Sequence, residues 1–306
     1  YYVPSQLLFR VALESLPLAD GSLLGDHYNF VRLSSARELL GRKQAPKTYA
    51  AKTAVVYGGL NYDMDLLAMQ EKAKQYDLSG LLAERGGLLR GDSVYRHLPG
   101  TEKEARAIAS SLRAGHWDVS LLSGNNGTEE SFLRLHGRAP RLLHIATHGF
   151  YYTPLEAAKV DYLKGYDDAM LLSGLVFSGC NHAWLGKPLP GGVLSGILQA
   201  EDIARMDLRG TEMVVLSACQ TGQGRATAEG LYGLQRAFKK AGVGTIVMSL
   251  WAVKDKATQD FMTAFYEHLL KNGAQSDKRK AFEAAKKVVR EKYKEPYYWA
   301  AFVMLD

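Results

Sequence analysis

The chain has 306 residues, 47% of them hydrophobic and 23% charged, which excludes a disordered or low-complexity chain and supplies apolar material for a large core. Its net charge is +6, and its one dense basic cluster, Lys278-Arg279-Lys280 with Lys286-Lys287, falls in a helical stretch. A solvated helix face accounts for that cluster better than a nucleic-acid surface does.

Only two cysteines are present, Cys180 and Cys219, so this is no disulfide-stapled scaffold. A free thiol implies a reducing compartment, and the expected location is the cytosol. No apolar run reaches the roughly 18 residues that span a membrane, and no secretory signal is visible at the N-terminus. The chain begins at Tyr1 rather than Met, which suggests an excised or processed piece of something longer.

In chain order, Asn29 to Leu33 reads as a short strand, and Ser34 to Leu40 opens like a capped helix. Thr53 to Gly59 (TAVVYGG) is a buried strand running into glycines. Leu66 to Asp92 breaks the rhythm and reads as a surface insertion around a helix. Thr101 to Arg113 has helical periodicity, with Thr101 as cap and Glu104 three residues on. Val119 to Ser123 is a strand, and Thr128 opens another helix. Leu142 to Ala146 is a strand ending at Thr147-His148-Gly149. Tyr151 to Pro190 is long, irregular and rich in Tyr, Gly and Pro, a kind of segment that tends to be functional or mobile. Met213 to Ser217 is a strand ending at Ala218-Cys219, followed by a helix from Gly230 to Ala241 and a strand from Thr245 to Leu250. Two amphipathic helices, near Lys256 to Lys271 and Asp277 to Tyr293, precede a closing strand in Trp299 to Leu305. Short apolar strands rich in Val, Ile and Leu, alternating with helices, predict an α/β fold with a mostly parallel sheet and helices on both faces.

Open parallel sheets bind ligands outside the carboxyl ends of their strands, and two strands here end in reactive residues. One delivers His148 followed by Gly149; the other delivers Cys219 followed by Gln220-Thr221-Gly222. Neighbouring strands would set the two side chains side by side. A free thiol, with a pKa of about 8.5, is little ionised at neutral pH, so a nearby imidazole is needed to take its proton. Backbone N–H groups of Gly149 and Cys219 are natural oxyanion donors. Each residue alone also fits a bland role, Cys219 as a small core residue and His148 as a satisfied polar one. Their joint placement at matching strand ends favours catalysis. His144, four residues earlier, is expected to pack in the sheet layer, with support of His148 as the alternative. No CxxC or helical HxxxH context supports zinc, no Gly-Lys-Ser/Thr follows the glycines near Gly222, and no cofactor is implied.

HIATHGF together with VVLSACQTGQG resembles the CHAT domain, a relative of caspases and separases. The resemblance runs on through YGLQRAFKKAGVGTIVMSLWAVKDKAT and PYYWAAFVML, and upstream through LPGTEKEA and NFVRLSSARELL, so it covers nearly the whole chain in order. One departure is Ala228-Glu229-Gly230, where the family often has Gly-Glu-Gly. The resemblance implies a caspase-like fold over residues 1–306, with an N-terminal half to residue 140, read as a pseudo-caspase-like subdomain, and a catalytic half from 141 to 306. It implies an endopeptidase with His148 as general base or acid, Cys219 as nucleophile and Gly149 as oxyanion donor. It implies a protein substrate, in bacterial defence or regulated cell death, with a gasdermin-like pore former as one kind of target, and a neighbouring tetratricopeptide-repeat region. The competing reading is a non-catalytic caspase-like interaction or signalling module.

For specificity, Asp255 resembles the acid with which separases receive an arginine before the scissile bond; an N-cap for the helix starting near Lys256 is the better reading of it. Trp251 is either a wall of that pocket or a core aromatic. Asp168 to Asn181 resembles the segment beside which a substrate strand lies, and Cys180 within it is expected to be inert. Tyr151 to Gly165 reads as an activation or autocleavage loop or as a loop without regulatory role.

Overall fold

A computed structural model describes residues 1–5, 8–9, 11–41, 49, 51–78, 94–152, 169–217, 228–271 and 277–306, with backbone alone at 228–232. The strands, in chain order, are β1 (Thr53–Leu60), β2 (Asp118–Gly124), β3 (Leu142–Ile145), β4 (Gly149–Tyr151), β5 (Ser173–Val176), β6 (Ile197–Gln199), β7 (Met213–Leu216), β8 (Thr245–Ser249) and β9 (Phe302–Leu305). The helices are α1 (Leu24–His27), α2 (Glu38–Gly41), α3 (Leu66–Ala73), α4 (Pro99–Ala114), α5 (Glu129–Leu133), α6 (Cys180–Trp184), α7 (Ala200–Arg205), α8 (Ala228–Lys240), α9 (Asp255–Lys271) and α10 (Lys278–Lys292).

Six strands form one sheet in the order β2-β1-β3-β7-β8-β9. The first five run parallel and β9 closes the sheet antiparallel to β8. The sheet therefore joins strands from both sides of residue 140. Its strands are apolar on both faces because both faces are covered. Alternate residues serve opposite layers. Val55, Tyr57, Leu143, Ile145, Val214, Leu216, Ile246 and Met248 pack with Phe132 of α5, Ile203 of α7 and Phe238 of α8. Ala54, Val56, Leu142, Met213, Val215 and Val247 pack with α4, α9 and α10. Each fully buried aliphatic side chain contributes roughly 1.5–3 kcal/mol. The α/β architecture with helices on both faces is thus the one the sequence pattern predicts.

Glycines at the end of β1 let α4 lie directly on the sheet. A Cβ on Gly58 would stand 2.5 Å from the Thr101 carbonyl oxygen, and Gly59 has φ of +66° and a Glu102 Cβ where its own would go. Helix α4 starts at Pro99, not at a Thr101 cap. Proline suits the first turn, and the Thr101 hydroxyl instead donates to the Leu98 carbonyl while accepting the Gly59 N–H. Thr128 does cap α5, accepting the Ser131 N–H.

Two expectations are corrected. Residues 29–33 form no strand: Arg32 makes single bridges to Tyr2 and to Leu305 at the outer edge of β9. Its guanidinium is buried and donates to the carbonyls of Phe9 and Val11. The stretch 168–181, described from residue 169, is not an open docking edge along its strand. There β5 is the middle of a second, antiparallel sheet, paired with β4 on one side and β6 on the other. Among the described residues, no helix is long and apolar enough to cross a membrane. The 151–165 loop lies outside the described residues beyond residue 152, as do 79–92 of the 66–92 insertion.

Candidate active site

Strands β3 and β7 are neighbours in parallel register, with Ile145 opposite Leu216. His148 lies three residues after Ile145, and Cys219 three residues after Leu216. The matching strand ends foreseen in the sequence are therefore adjacent up to Leu216 and Ser217, whose N–H donates to the Ile145 carbonyl at 2.9 Å. Residues 218–227, Cys219 among them, lie outside the described residues.

His148 is 3% exposed, between β3 and β4. Its Nε2 lies 2.8 Å from the Arg96 carbonyl oxygen. A carbonyl only accepts, so Nε2 carries the proton, and in the neutral ring Nδ1 is the nitrogen that can receive one. Two phenol rings flank the imidazole: Tyr62 with centroids 5.1 Å apart and Tyr95 at 5.3 Å. Thr147 donates to the Val176 carbonyl at 2.6 Å, so its oxygen accepts the Tyr62 hydroxyl at 2.9 Å. Burial pushes both phenols far above their ordinary range, so they stay neutral walls. Gly149 opens β4 opposite Leu175, and the His148 carbonyl accepts the Val176 N–H at 3.1 Å. The chain leaving the histidine is thus fixed by sheet pairing.

A cavity of about 360 Å³ opens at the carboxyl ends of β7 and β8. Its lining includes Leu98, Glu104, Ser217, Ser249, Asp255 and Met262. Asp255 is the first residue of α9, exposed, and the Lys254 carbonyl accepts the Ala257 and Thr258 N–H groups. Asp255 thus stands in the first turn rather than before it, where a carboxylate is favoured by the helix dipole. Its Oδ2 comes within 3.1 Å of where a Cβ on Gly100 would sit, so it faces the start of α4. Trp251 is not among the residues lining this cavity. Its Nε1 donates to the Tyr297 carbonyl at 2.9 Å, and the half-buried ring packs against both core layers.

Glu104 is 6% exposed and faces this cavity from α4. Its Oε1 lies 3.1 Å from His144 Nε2, without the alignment of a hydrogen bond. On the other side of that ring, Nδ1 is 3.2 Å from the Tyr266 hydroxyl, whose pKa burial drives well above the usual phenol value. His144 therefore serves the α4 and α9 layer, whereas His148 stands among the Tyr62 and Tyr95 rings. Cys180 is fully buried, and desolvation raises its thiol well above the ordinary value, as suits an inert cysteine. Arg96, Tyr62, Tyr95 and Glu104 escape the sequence reading. A carbonyl ligand has no side-chain signature, and Glu104 reads there as half of a capping box.

A family model described as "CHAT domain" matches residues 1–306. Among curated proteins, tetratricopeptide repeat protein 28 of Mus musculus is 40% identical over 111 residues, 36% of this chain and 4% of that protein. Its Homo sapiens counterpart is 35% identical over 111 residues, with the same coverage. The chain thus matches only a small fraction of the length of these relatives. Among solved structures, the Arg-specific cysteine proteinase gingipain R is similar with a TM-score of 0.49 at 12% identity, covering 90% of this chain and 53% of that one.

Proposed function

The chain belongs to the CHAT domain family, and from that premise we propose that it is a cysteine endopeptidase with His148 and Cys219 as its dyad. The observation that carries this reading is the β3–β7 register, which pairs the two strands three residues before each of these side chains. Division into an N-terminal half to residue 140 and a catalytic half from 141 belongs to the same proposal.

In this reading the Arg96 carbonyl holds the Nε2–H of His148, and Nδ1 takes the proton of the Cys219 thiol. The thiolate attacks the scissile carbonyl carbon, and the oxyanion is met by the N–H groups of Gly149 and Cys219. The imidazolium then gives its proton to the leaving amine. Water, deprotonated by the same ring, releases the acyl group and restores the thiol.

Ser217, two residues before Cys219, lines the cavity that also holds Glu104 and Asp255. We assign this cavity to the side chain before the scissile bond, and its two carboxylates favour Lys or Arg there. Trp251 lies outside that lining and, bonded to the Tyr297 carbonyl, serves the core rather than the pocket in this reading. A protein substrate in a cytosolic defence or cell-death pathway, a gasdermin-like pore former among the choices, extends the proposal. The tetratricopeptide-repeat names of the relatives support a repeat region as partner.

A peptide library varied at the position before the scissile bond tests both levels. Wild-type protein is expected to cleave after basic residues, and Asp255→Ala to reduce that preference by about threefold, the size of an exposed charge pair. Unchanged preference in the variant removes Asp255 from the pocket. Absence of any cleavage by a folded, repeat-region-bearing protein favours the interaction-module reading.

A further inference from the structure

Asn181 is 3% exposed in α6, and every polar atom of its amide is engaged. Its Oδ1 accepts the Tyr95 N–H at 2.8 Å. Its Nδ2 donates to the Tyr95 carbonyl at 2.9 Å and to Asp63 Oδ1 at 2.7 Å. The amide therefore grips one residue at both its N–H and its C=O, as a neighbouring strand would. The backbone around it is fixed in turn: Asn181 N–H donates to the Tyr62 carbonyl at 3.1 Å, and Gly179 N–H to the Asn61 carbonyl at 2.9 Å. Gly179 has φ of +84°, and a Cβ there would meet Met69 of α3 within 3 Å. Three remote segments, 61–63, 95–96 and 179–181, thus meet around one side chain. The next residue after Tyr95 supplies the carbonyl that holds His148 Nε2, and Tyr62 and Tyr95 supply the flanking rings.

We propose that Asn181 is a positioning residue for His148: by clamping Tyr95 at both ends of its backbone, it sets the Arg96 carbonyl against Nε2 and so leaves Nδ1 as the nitrogen that takes a proton. This inference rests on the reading of His148 and Cys219 as the catalytic pair. No other residue type of this size supplies two donors and an acceptor. Aspartate has the same shape but no donor, and would set a second carboxylate beside Asp63 and the Tyr95 carbonyl. The titratable groups around the imidazole include the phenols of Tyr62 and Tyr95, with the Cys180 thiol beside them; the Asp63 carboxylate lies behind, on the Asn181 amide. Burial raises both phenols and the thiol, so none of these three titrates between about pH 5 and 9.

The test is the pH profile of Cys219 alkylation by iodoacetamide, followed by mass spectrometry on wild type, His148→Ala, Asn181→Asp and Ile108→Val. The imidazolium that pairs with the thiolate is held through Nε2–H on the Arg96 carbonyl, so loosening that contact weakens the ion pair and moves thiolate formation to higher pH. Wild type should react through a low-pH limb that His148→Ala removes. Asn181→Asp should slow alkylation about tenfold near pH 6 and little near pH 9, the loss of one charge-assisted hydrogen bond. Ile108→Val, a core change in the opposite layer, should leave the profile in place. Asn181→Ala, which adds no carboxylate, carries the same prediction where the aspartate variant fails to fold. Superimposed profiles for wild type and the Asn181 variants, with a limb still lost in His148→Ala, overturn the positioning role and leave the dyad standing. A profile that His148→Ala does not change overturns both.

Discussion

Replacing Cys219 by Ala is expected to lower kcat/KM for peptide hydrolysis by at least about 10⁴-fold, with the fold and thermal midpoint preserved. The reason is chemical: alanine cannot form the acyl bond, and what is left is binding and oxyanion stabilisation. That loss corresponds to about 5.4 kcal/mol of barrier. His148→Ala should cost about 10²–10⁴-fold, because a thiol is intrinsically more nucleophilic than a hydroxyl and retains some reactivity unaided. The double variant should be no slower than Cys219→Ala, since the pair acts as a unit. Initial rates on the best library peptide decide the matter. Activity within tenfold of wild type in Cys219→Ala would place the nucleophile elsewhere or remove covalent catalysis from the account.

Phe302→Ala should be the most destabilising single core truncation, at about 3–5 kcal/mol. Phe302 opens β9, the antiparallel strand that closes the sheet, and is fully buried. Its ring stacks on Phe261 of α9 with centroids 3.8 Å apart and planes 2° apart. Phe261 meets Phe282 of α10 edge-on at 5.5 Å, so one ring ties strand, α9 and α10 together. Truncation removes this stack and widens the cavity at the ends of β7 and β8, which Phe302 also lines. Urea unfolding followed by circular dichroism should show a lower midpoint with an unchanged slope. A loss under about 1 kcal/mol would mean that this layer collapses around the gap.

The fold was legible where burial is two-sided. TAVVYGG, LLHIA, MVVLS and TIVMSL are apolar without alternation because helices cover both faces of the sheet. Helices α9 and α10 were legible from their amphipathic period. Legibility fails where a residue's role depends on a partner far along the chain. Residues 29–33 look like a strand, yet Arg32 meets its neighbours at single bridges only. Thr101 looks like a cap, yet Pro99 two residues earlier already starts the helix and the Thr101 hydroxyl serves Gly59. The site divides in the same way. His148 and its following glycine stand out because a strand delivers them to a sheet end. The Arg96 carbonyl, the Tyr62 and Tyr95 walls and the Asn181 clamp are joined by hydrogen bonds that span 52, 86 and 118 residues, and no spacing rule points to them. Glu104 reads as a helix-start residue and turns out to face the cavity beside β7.

The most direct measurement is labelling of the native chain by a peptidyl acyloxymethyl ketone bearing a basic residue next to the warhead, with the modified residue mapped by mass spectrometry. Stoichiometric modification of Cys219, strong slowing in His148→Ala and no modification of Cys180, whose buried thiol is held neutral, are expected. Modification of Cys180 in preference to Cys219, or labelling of Cys219 at the rate of a simple free thiol with no dependence on His148, would contradict the dyad.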